Sequence, residues 1–208
     1  MENNDFDIVV IGSGVIGHSI AFRLKQDDPQ LKIAVLGDPV NSLQASRAAA
    51  GMLAPFCECD KADRFFKFCR ESLDKFPEFL RELVSVSEVP VHFSIEGSLM
   101  PSSSYREAWE ERKVFFAEED IPHEVWSSDK VRQKAPYLSD NCGEVMWVRE
   151  GQVNNRQMHD ALIQASRNLG NHVLEANVSG FIRKGSTLAS AVTDSGNING
   201  GQFVLASG

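Results

Sequence analysis

The 208-residue chain lacks the features that identify several large classes of protein. Its four cysteines form neither a dense disulfide framework nor paired zinc-binding motifs. Acidic residues outnumber basic ones by 29 to 21, and the net charge of -8 opposes binding to nucleic acid and to anionic membranes. The amino terminus is acidic and the first apolar run is short, which argues against a signal peptide or a transmembrane helix. We therefore expect a cytoplasmic protein that binds neither nucleic acid nor membrane.

The residues that most often carry metal or redox chemistry are also sparse. Cys57 and Cys59 form one isolated pair, for which we expect reduced structural thiols, with a redox or metal role as the alternative. The histidines have neither metal-binding spacing nor an accompanying nucleophile motif, so we expect structural roles and no metal. These histidines are His18, His92, His123, His159 and His172.

The chain does have a strand, a glycine-rich loop and a helix in immediate succession at its start. Residues 6–11 form a compact β-branched run, which is typical of a strand buried on both faces. A helical stretch to about Lys25 and a second strand over residues 32–36 complete a βαβ unit. A glycine fingerprint in this setting predicts a dinucleotide site, because helix N–H groups face the diphosphate. The predicted contacts are Gly12, Ser13, Gly14, Val15, Ile16 and Gly17.

Asp38, just after the second strand, is the candidate contact for the adenosine ribose. An acidic residue directly after this strand is usual, but Gly37 stands at that point. The alternative for Asp38 is a role in a turn or a helix cap. The fingerprint alone fits NAD as well as FAD.

Residues 46–55, Ser-Arg-Ala-Ala-Ala-Gly-Met-Leu-Ala-Pro, resemble a loop of the D-amino-acid oxidase/glycine oxidase (DAO) family of FAD enzymes. In that family, small residues followed by Gly-Met-Leu pass beside the diphosphate and the isoalloxazine ring. The resemblance implies FAD as the cofactor, and the alternative for this segment is an alanine-rich helix start. It implies cofactor contacts from Ser46, Arg47, Ala48, Ala49, Gly51, Met52 and Leu53.

The resemblance continues to residue 208. Residues 150–156 are similar to the turn that leads into the helix returning to the flavin domain. Val178 matches a valine that flanks the adenine, and residues 200–208 resemble a late strand whose small residues make room for the dinucleotide. The implied contacts at this end are Val178, Ala206, Ser207 and Gly208.

Together these features predict an α/β fold: a Rossmann-like, GR2-type FAD-binding domain with an inserted α+β portion of a substrate domain. We place the FAD-binding domain at residues 1–85 and 149–208, and the insertion at residues 86–148. Residues 61–84 predict a helix pair broken near Pro77, with its aromatic side chains in the core. The resemblance covers about the N-terminal half of a family member. We therefore expect one chain of a two-chain or cleaved enzyme, the alternative being that this sequence is part of a longer chain.

The resemblance implies oxidation of the C–N bond of a small amine or amino acid. A hydride would move from the α-carbon to flavin N5, dioxygen would give hydrogen peroxide, and the imine would hydrolyse. Because the flavin performs the electron chemistry, no side-chain base is required and no catalytic residue is predicted. Two alternatives are an NAD(P)-dependent dehydrogenase and a non-catalytic flavin- or nucleotide-binding subunit that stabilises a partner.

Overall fold

The computed structural model describes residues 5–38 and 44–208, and residues 1–4 and 39–43 lie outside these ranges. Within them the chain divides into two compact units. The first unit draws on Met1–Ala50, Leu80–His92 and Asn154–Gly208, and the second on Gly51–Phe79 and Phe93–Val153. The domain boundaries predicted from the sequence remain a prediction.

The described residues form the following strands: β1 (Asp5–Ile11), β2 (Ile33–Leu36), β3 (Met52–Leu53), β4 (Phe93–Ser94), β5 (Ser98–Pro101), β6 (His123–Trp126), β7 (Val145–Val148), β8 (Gly151–Val153), β9 (His172–Leu174), β10 (Val178–Lys184), β11 (Thr187–Thr193) and β12 (Gly196–Leu205). Their α-helices are α1 (Val15–Asp27), α2 (Ala45–Ala48), α3 (Pro55–Glu58), α4 (Arg64–Ser87), α5 (Ser102–Tyr105), α6 (Trp109–Glu118), α7 (Ser128–Lys134) and α8 (Asn155–Asn168).

The first unit is built on a six-stranded sheet in the order β10-β11-β12-β1-β2-β9. The strands from β12 to β9 pair in parallel, whereas β10, β11 and β12 form an antiparallel meander. Alternate side chains of β1 pack on opposite faces: Val9 joins a cluster with Ile198, and Val10 joins another with Ala21 of α1. The predicted α/β fold and the buried first strand are confirmed.

The packing face of α1 does not include Ile16, whose side chain is 61% exposed. Its side chain borders an open cleft beyond the end of the sheet, because it lies in the first turn of the helix. The buried residues of α1 are Gly17, His18, Ala21 and Phe22.

The second unit contains two antiparallel three-stranded sheets, β3-β8-β4 and β5-β7-β6. Its core is an apolar cluster in which the largest fully buried side chains are Phe66, Phe116 and Met146. The mixture of short helices and small sheets gives this unit an α+β character.

A single helix, α4, replaces the predicted helix pair, and Pro77 lies inside it. A proline removes one N–H from the helical hydrogen bonds, and the bonds on either side hold the two halves in one helix. The helix carries many charged residues. No helix in residues 5–38 and 44–208 has the length and apolar character needed to cross a membrane.

The aromatic side chains of α4 are only partly in the core. Phe66 is buried as predicted, but Phe65 and Phe68 are 65% and 69% exposed. Residues three apart share one face of a helix, so these two phenylalanines point together away from the stripe that holds Phe66. The prediction of buried aromatics is wrong for this pair.

Candidate functional site

The first unit opens a cleft of about 780 Å³ at the carboxyl ends of β1, β2 and β12. Cofactor sites commonly have volumes of roughly 300–1,000 Å³, and open α/β sheets bind ligands at this edge. Four short stretches of chain line the cleft together with Gln44, Ala45, Ser46 and Ala49. These stretches are residues 11–16, 36–38, 176–178 and 206–208.

Most of the predicted cofactor contacts border this cleft. Those that do are Gly12, Ser13, Gly14, Val15, Ile16, Asp38, Ser46, Ala49, Val178, Ala206, Ser207 and Gly208. Gly17, Arg47 and Ala48 are not among its lining residues, and the Arg47 guanidinium pairs with Asp160 at 2.6 Å. Gly51, Met52 and Leu53 belong to the second unit, where β3 pairs with β8. The structure therefore brings together the glycine loop, Asp38, Ser46 and the residues of the far end of the chain.

The glycine loop makes its turn against the end of β12. Gly12 has a φ of +119°, and a Cβ at this position would lie 2.1 Å from the carbonyl oxygen of Ala206. A Cβ at Gly17 would lie 1.9 Å from the carbonyl oxygen of Gly12, so only glycine allows the helix to approach the loop this closely. Gly12 thus allows a tight turn after β1, and Gly17 allows close packing of α1 on the loop.

The amino terminus of α1 is suited to an anion. Its first turn carries no acidic residue, and the N-cap Gly14 makes no side-chain capping bond. Exposed N–H groups and the helix dipole favour negative charge here. The N–H of Val15 donates to Ser46 Oγ at 2.9 Å, and the Ser46 hydroxyl keeps its own hydrogen for donation to a phosphate oxygen. The residues present therefore fit the diphosphate of a dinucleotide.

The edge of the cleft beyond β2 departs from the usual pattern for a ribose site. Gly37 has a φ of +148°, and a Cβ there would lie 2.7 Å from Ser13 Oγ. Gln44, which the sequence analysis missed, donates through Nε2 to the Asp38 carbonyl oxygen, and to Ser13 Oγ at 3.2 Å. No local pattern marks Gln44 in the sequence, because its partners are remote along the chain. Asp38 borders the cleft and remains the predicted ribose contact.

His159 is a second residue that sequence reasoning missed as part of this site. It is fully buried on α8, and its Nε2 lies 2.7 Å from the carbonyl oxygen of Ser13. The sequence offered no signal for this contact, because 146 positions separate the two residues.

In the second unit, a buried carboxyl group faces the start of α3. Glu150 is 1% exposed, and its Oε1 accepts hydrogen bonds from the N–H groups of Phe56 at 2.5 Å and Cys57 at 2.8 Å. Burial and the adjacent Glu150 carboxylate raise the pKa of the Cys57 thiol well above its usual range. The thiol is therefore protonated at neutral pH, which opposes a role as a redox nucleophile or metal ligand. Within the described ranges, no group of three or more His, Cys, Asp or Glu side chains is arranged to hold a metal ion.

Comparison with known proteins gives one family and several relatives. The family model described as FAD dependent oxidoreductase matches residues 7–208. The bifunctional protein ThiO/ThiG of Synechocystis sp. is 28% identical over 211 residues, which cover 97% of this chain and 30% of that protein. The glycine oxidase of Bacillus subtilis is 25% identical over 205 residues, which cover 98% of this chain and 54% of that enzyme.

Solved structures share the fold. The glycine oxidase of Geobacillus kaustophilus superposes with a TM-score of 0.90 at 21% identity, over 99% of this chain and 56% of that one. The glycine oxidase of Bacillus cereus gives a TM-score of 0.85 at 24% identity, over 98% of this chain and 55% of that one. The chain thus spans about half the length of the glycine oxidases that it matches, and just under a third of the ThiO/ThiG protein.

Proposed function

Because the chain belongs to the family of FAD dependent oxidoreductases, we propose that it takes part in oxidising the C–N bond of a small amine or amino acid. FAD is the cofactor of this family, which decides against the NAD(P)-dependent dehydrogenase considered as an alternative. The observation that carries the proposal is the cleft itself. It presents a glycine loop and a helix amino terminus without acidic residues within a fold shared with glycine oxidases.

The residues of this chain would bind and orient the cofactor. The N–H groups of Ser13, Gly14 and Ile16 and the Ser46 hydroxyl would hold the diphosphate, since the N–H of Gly12 donates to the Leu36 carbonyl oxygen and that of Val15 to Ser46 Oγ. Val178 and the small residues 206–208 would enclose the adenine end, with Asp38 at the ribose. Residues 51–53 are the proposed contact with the isoalloxazine edge. When bound, FAD would accept a hydride at N5 and pass electrons to dioxygen, giving an imine and hydrogen peroxide. No side chain of this chain is assigned a proton-transfer step.

The names of the relatives favour a small substrate. Several are glycine oxidases, so glycine and small secondary amines are the first candidates.

We also propose that a second polypeptide completes the oxidase. The glycine oxidases carry about as much sequence again outside the span that they share with this chain. The ThiO/ThiG proteins join such a span to a further part within one bifunctional chain. A partner would supply the remainder of the substrate site.

The proposed function is tested by mixing the flavin-loaded protein, purified together with any polypeptide that accompanies it, anaerobically with glycine, with secondary amines and with D-amino acids. We expect at least one of them to bleach the visible flavin absorption. A Gly12→Val variant is the control, since its side chain would collide with Ala206 and abolish flavin binding. Flavin that binds but is never reduced by any amine would contradict oxidation and support the non-catalytic alternative.

A further inference from the structure

Two histidines that the proposed function leaves unused lie buried between α1 and α8. His18 of α1 and His159 of α8 are both 0% exposed, and their ring centroids lie 5.9 Å apart in an edge-to-face arrangement. His18 Nδ1 lies 2.9 Å from Ser166 Oγ, and His159 Nε2 lies 2.7 Å from the carbonyl oxygen of Ser13. The pair is thus joined to the glycine loop through one hydrogen bond.

That hydrogen bond fixes the tautomer of His159. A carbonyl oxygen only accepts hydrogen bonds, so His159 Nε2 must carry the hydrogen. Burial lowers the pKa of His159, and burial, His159 and Arg167 together lower the pKa of His18 to about 4. Both rings are therefore neutral at pH 7. Nδ1 of His159 is left as a buried acceptor that has no partner in the described part of the chain.

The accepting carbonyl of Ser13 belongs to the same peptide group as the N–H of Gly14. A trans peptide is planar, and its C=O and N–H point in opposite directions. Ser13 is 3% exposed, whereas Gly14 borders the cleft. A hydrogen bond that holds the Ser13 carbonyl towards His159 therefore turns the Gly14 N–H towards the cleft.

We propose that His159 is a positioning residue for the cofactor, since its Nε2–H orients the Ser13–Gly14 peptide so that the Gly14 N–H donates to the diphosphate of FAD. His18 packs against the His159 ring from α1, and Ser166 holds His18 in turn. Arg47 and Asp160, the charged groups nearest to His159, are paired with each other. The inference rests on the proposed placement of FAD in the cleft. A loop that is oriented before binding loses less freedom when the ligand arrives, which increases affinity.

The test is a titration of the protein with FAD, followed by flavin fluorescence, after removal of bound flavin and with any polypeptide that accompanies the chain. His159→Leu removes the donor, and His159→Gln places an amide N–H near the position of Nε2. We expect the dissociation constant for FAD to rise about tenfold or more in the leucine variant, as for the loss of one oriented hydrogen bond. The glutamine variant should stay close to wild type. His92→Leu, at an exposed histidine of the same unit, is the matched control and should leave the affinity unchanged.

Two results would overturn the inference: unchanged affinity in His159→Leu, or equal weakening by leucine and glutamine, which would mean that only ring packing matters. If the leucine variant does not fold, His159→Asn replaces it, because its shorter amide cannot reach the Nε2 position.

A Gly14→Val variant separates this inference from the cofactor placement, since its side chain would press on Ser46 Oγ. If Gly14→Val loses FAD binding while His159→Leu binds FAD normally, the role of His159 is rejected and the placement of FAD in the cleft is kept. Normal binding in both variants also rejects the placement. Because the readout is affinity, a failure of the proposed oxidation leaves this test unaffected.

Discussion

At the scale of single residues, Gly37 leaves no room for a side chain at the edge of the cleft where the ribose of the proposed cofactor would lie. The family pattern places an acidic side chain at position 37, but Ser13 fills the space where the Cβ of such a side chain would lie. The positive φ of Gly37 adds backbone strain for any residue other than glycine. The buried position of Ser13 therefore fits a glycine at position 37, and Asp38 is the next residue of the chain that carries a carboxylate.

We expect Gly37→Ala to weaken FAD binding about tenfold, because the methyl group pushes Ser13 and with it the glycine loop, and strain of this kind costs about 1–3 kcal/mol. Titration with FAD measures the change. Gly185→Ala is the control, since Gly185 also has a positive φ but has no atom within 4 Å of its Cβ position. If both variants bind FAD like the wild type, Gly37 does not shape the site.

The glycine loop could be read from the sequence, whereas the residues that support it could not. The requirement for Gly12 and Gly17 arises within a few residues of chain, so a local motif reveals it. The contacts of His159 and Gln44 with Ser13 join segments that are far apart in sequence. No single-sequence pattern encodes such contacts, because a buried histidine and a loop glutamine have many other uses.

At the scale of elements, the short helix α3 is held at both ends by side chains from elsewhere in the second unit. At its start, Glu150 accepts hydrogen bonds from two N–H groups that have no partner within the helix. At its end, Arg112 Nη1 donates to the carbonyl oxygens of Phe56 and Cys57 at 3.2 Å and of Cys59 at 2.9 Å. A four-residue helix is unstable by itself, so its position depends on these two side chains.

We expect Glu150→Leu to lower the free energy of unfolding of the second unit by about 2 kcal/mol or more, because two buried N–H groups lose their acceptor. All three tryptophans, Trp109, Trp126 and Trp147, lie in this unit, so urea unfolding followed by tryptophan fluorescence reports on it directly. Glu78→Leu, at an exposed position of α4, should change the value by less than about 0.5 kcal/mol. Equal stability of the two variants would show that Glu150 does not hold α3.

The elements of the first unit were predicted more successfully than α4. Strands such as β1 and β2 carry continuous apolar runs, and the composition and length of these runs favour a buried strand over other structures. In α4, the same helical period places aromatic residues on two faces, and Pro77 suggests a break that tertiary packing overrides. Which face is buried depends on the neighbours that the rest of the chain supplies, and the period alone does not reveal them.

At the scale of the whole molecule, the chain carries a cofactor cleft in one unit and shares only about half the length of the glycine oxidases that it matches. The match to the family extends to residue 208. The proposed second polypeptide would add to the proposed cofactor site, which is lined by the glycine loop, the Ser46 segment and residues 206–208.

Native mass spectrometry of the protein purified from its source tests this proposal. We expect one complex that contains this 23.0 kDa chain, a second polypeptide and one FAD. In a variant that abolishes flavin binding, such as Gly12→Val, the mass of the complex should fall by that of one FAD. The masses of the two chains should change only by the mass difference of the substituted residue. A single longer chain, or this chain alone with FAD, would contradict the two-chain proposal and leave the cofactor assignment intact.

The pairing of β1 with β12 also has a consequence for the order in which the protein forms. Asp5 lies opposite Asn199, and Ile11 opposite Leu205, so two strands that are far apart in the sequence pair with each other. Residues 206–208, which follow β12, line the cleft. Contacts between such distant segments form slowly, and here they cannot form at all until synthesis has passed β12. The cleft is therefore incomplete while this span is being translated, and the proposed cofactor would enter it afterwards.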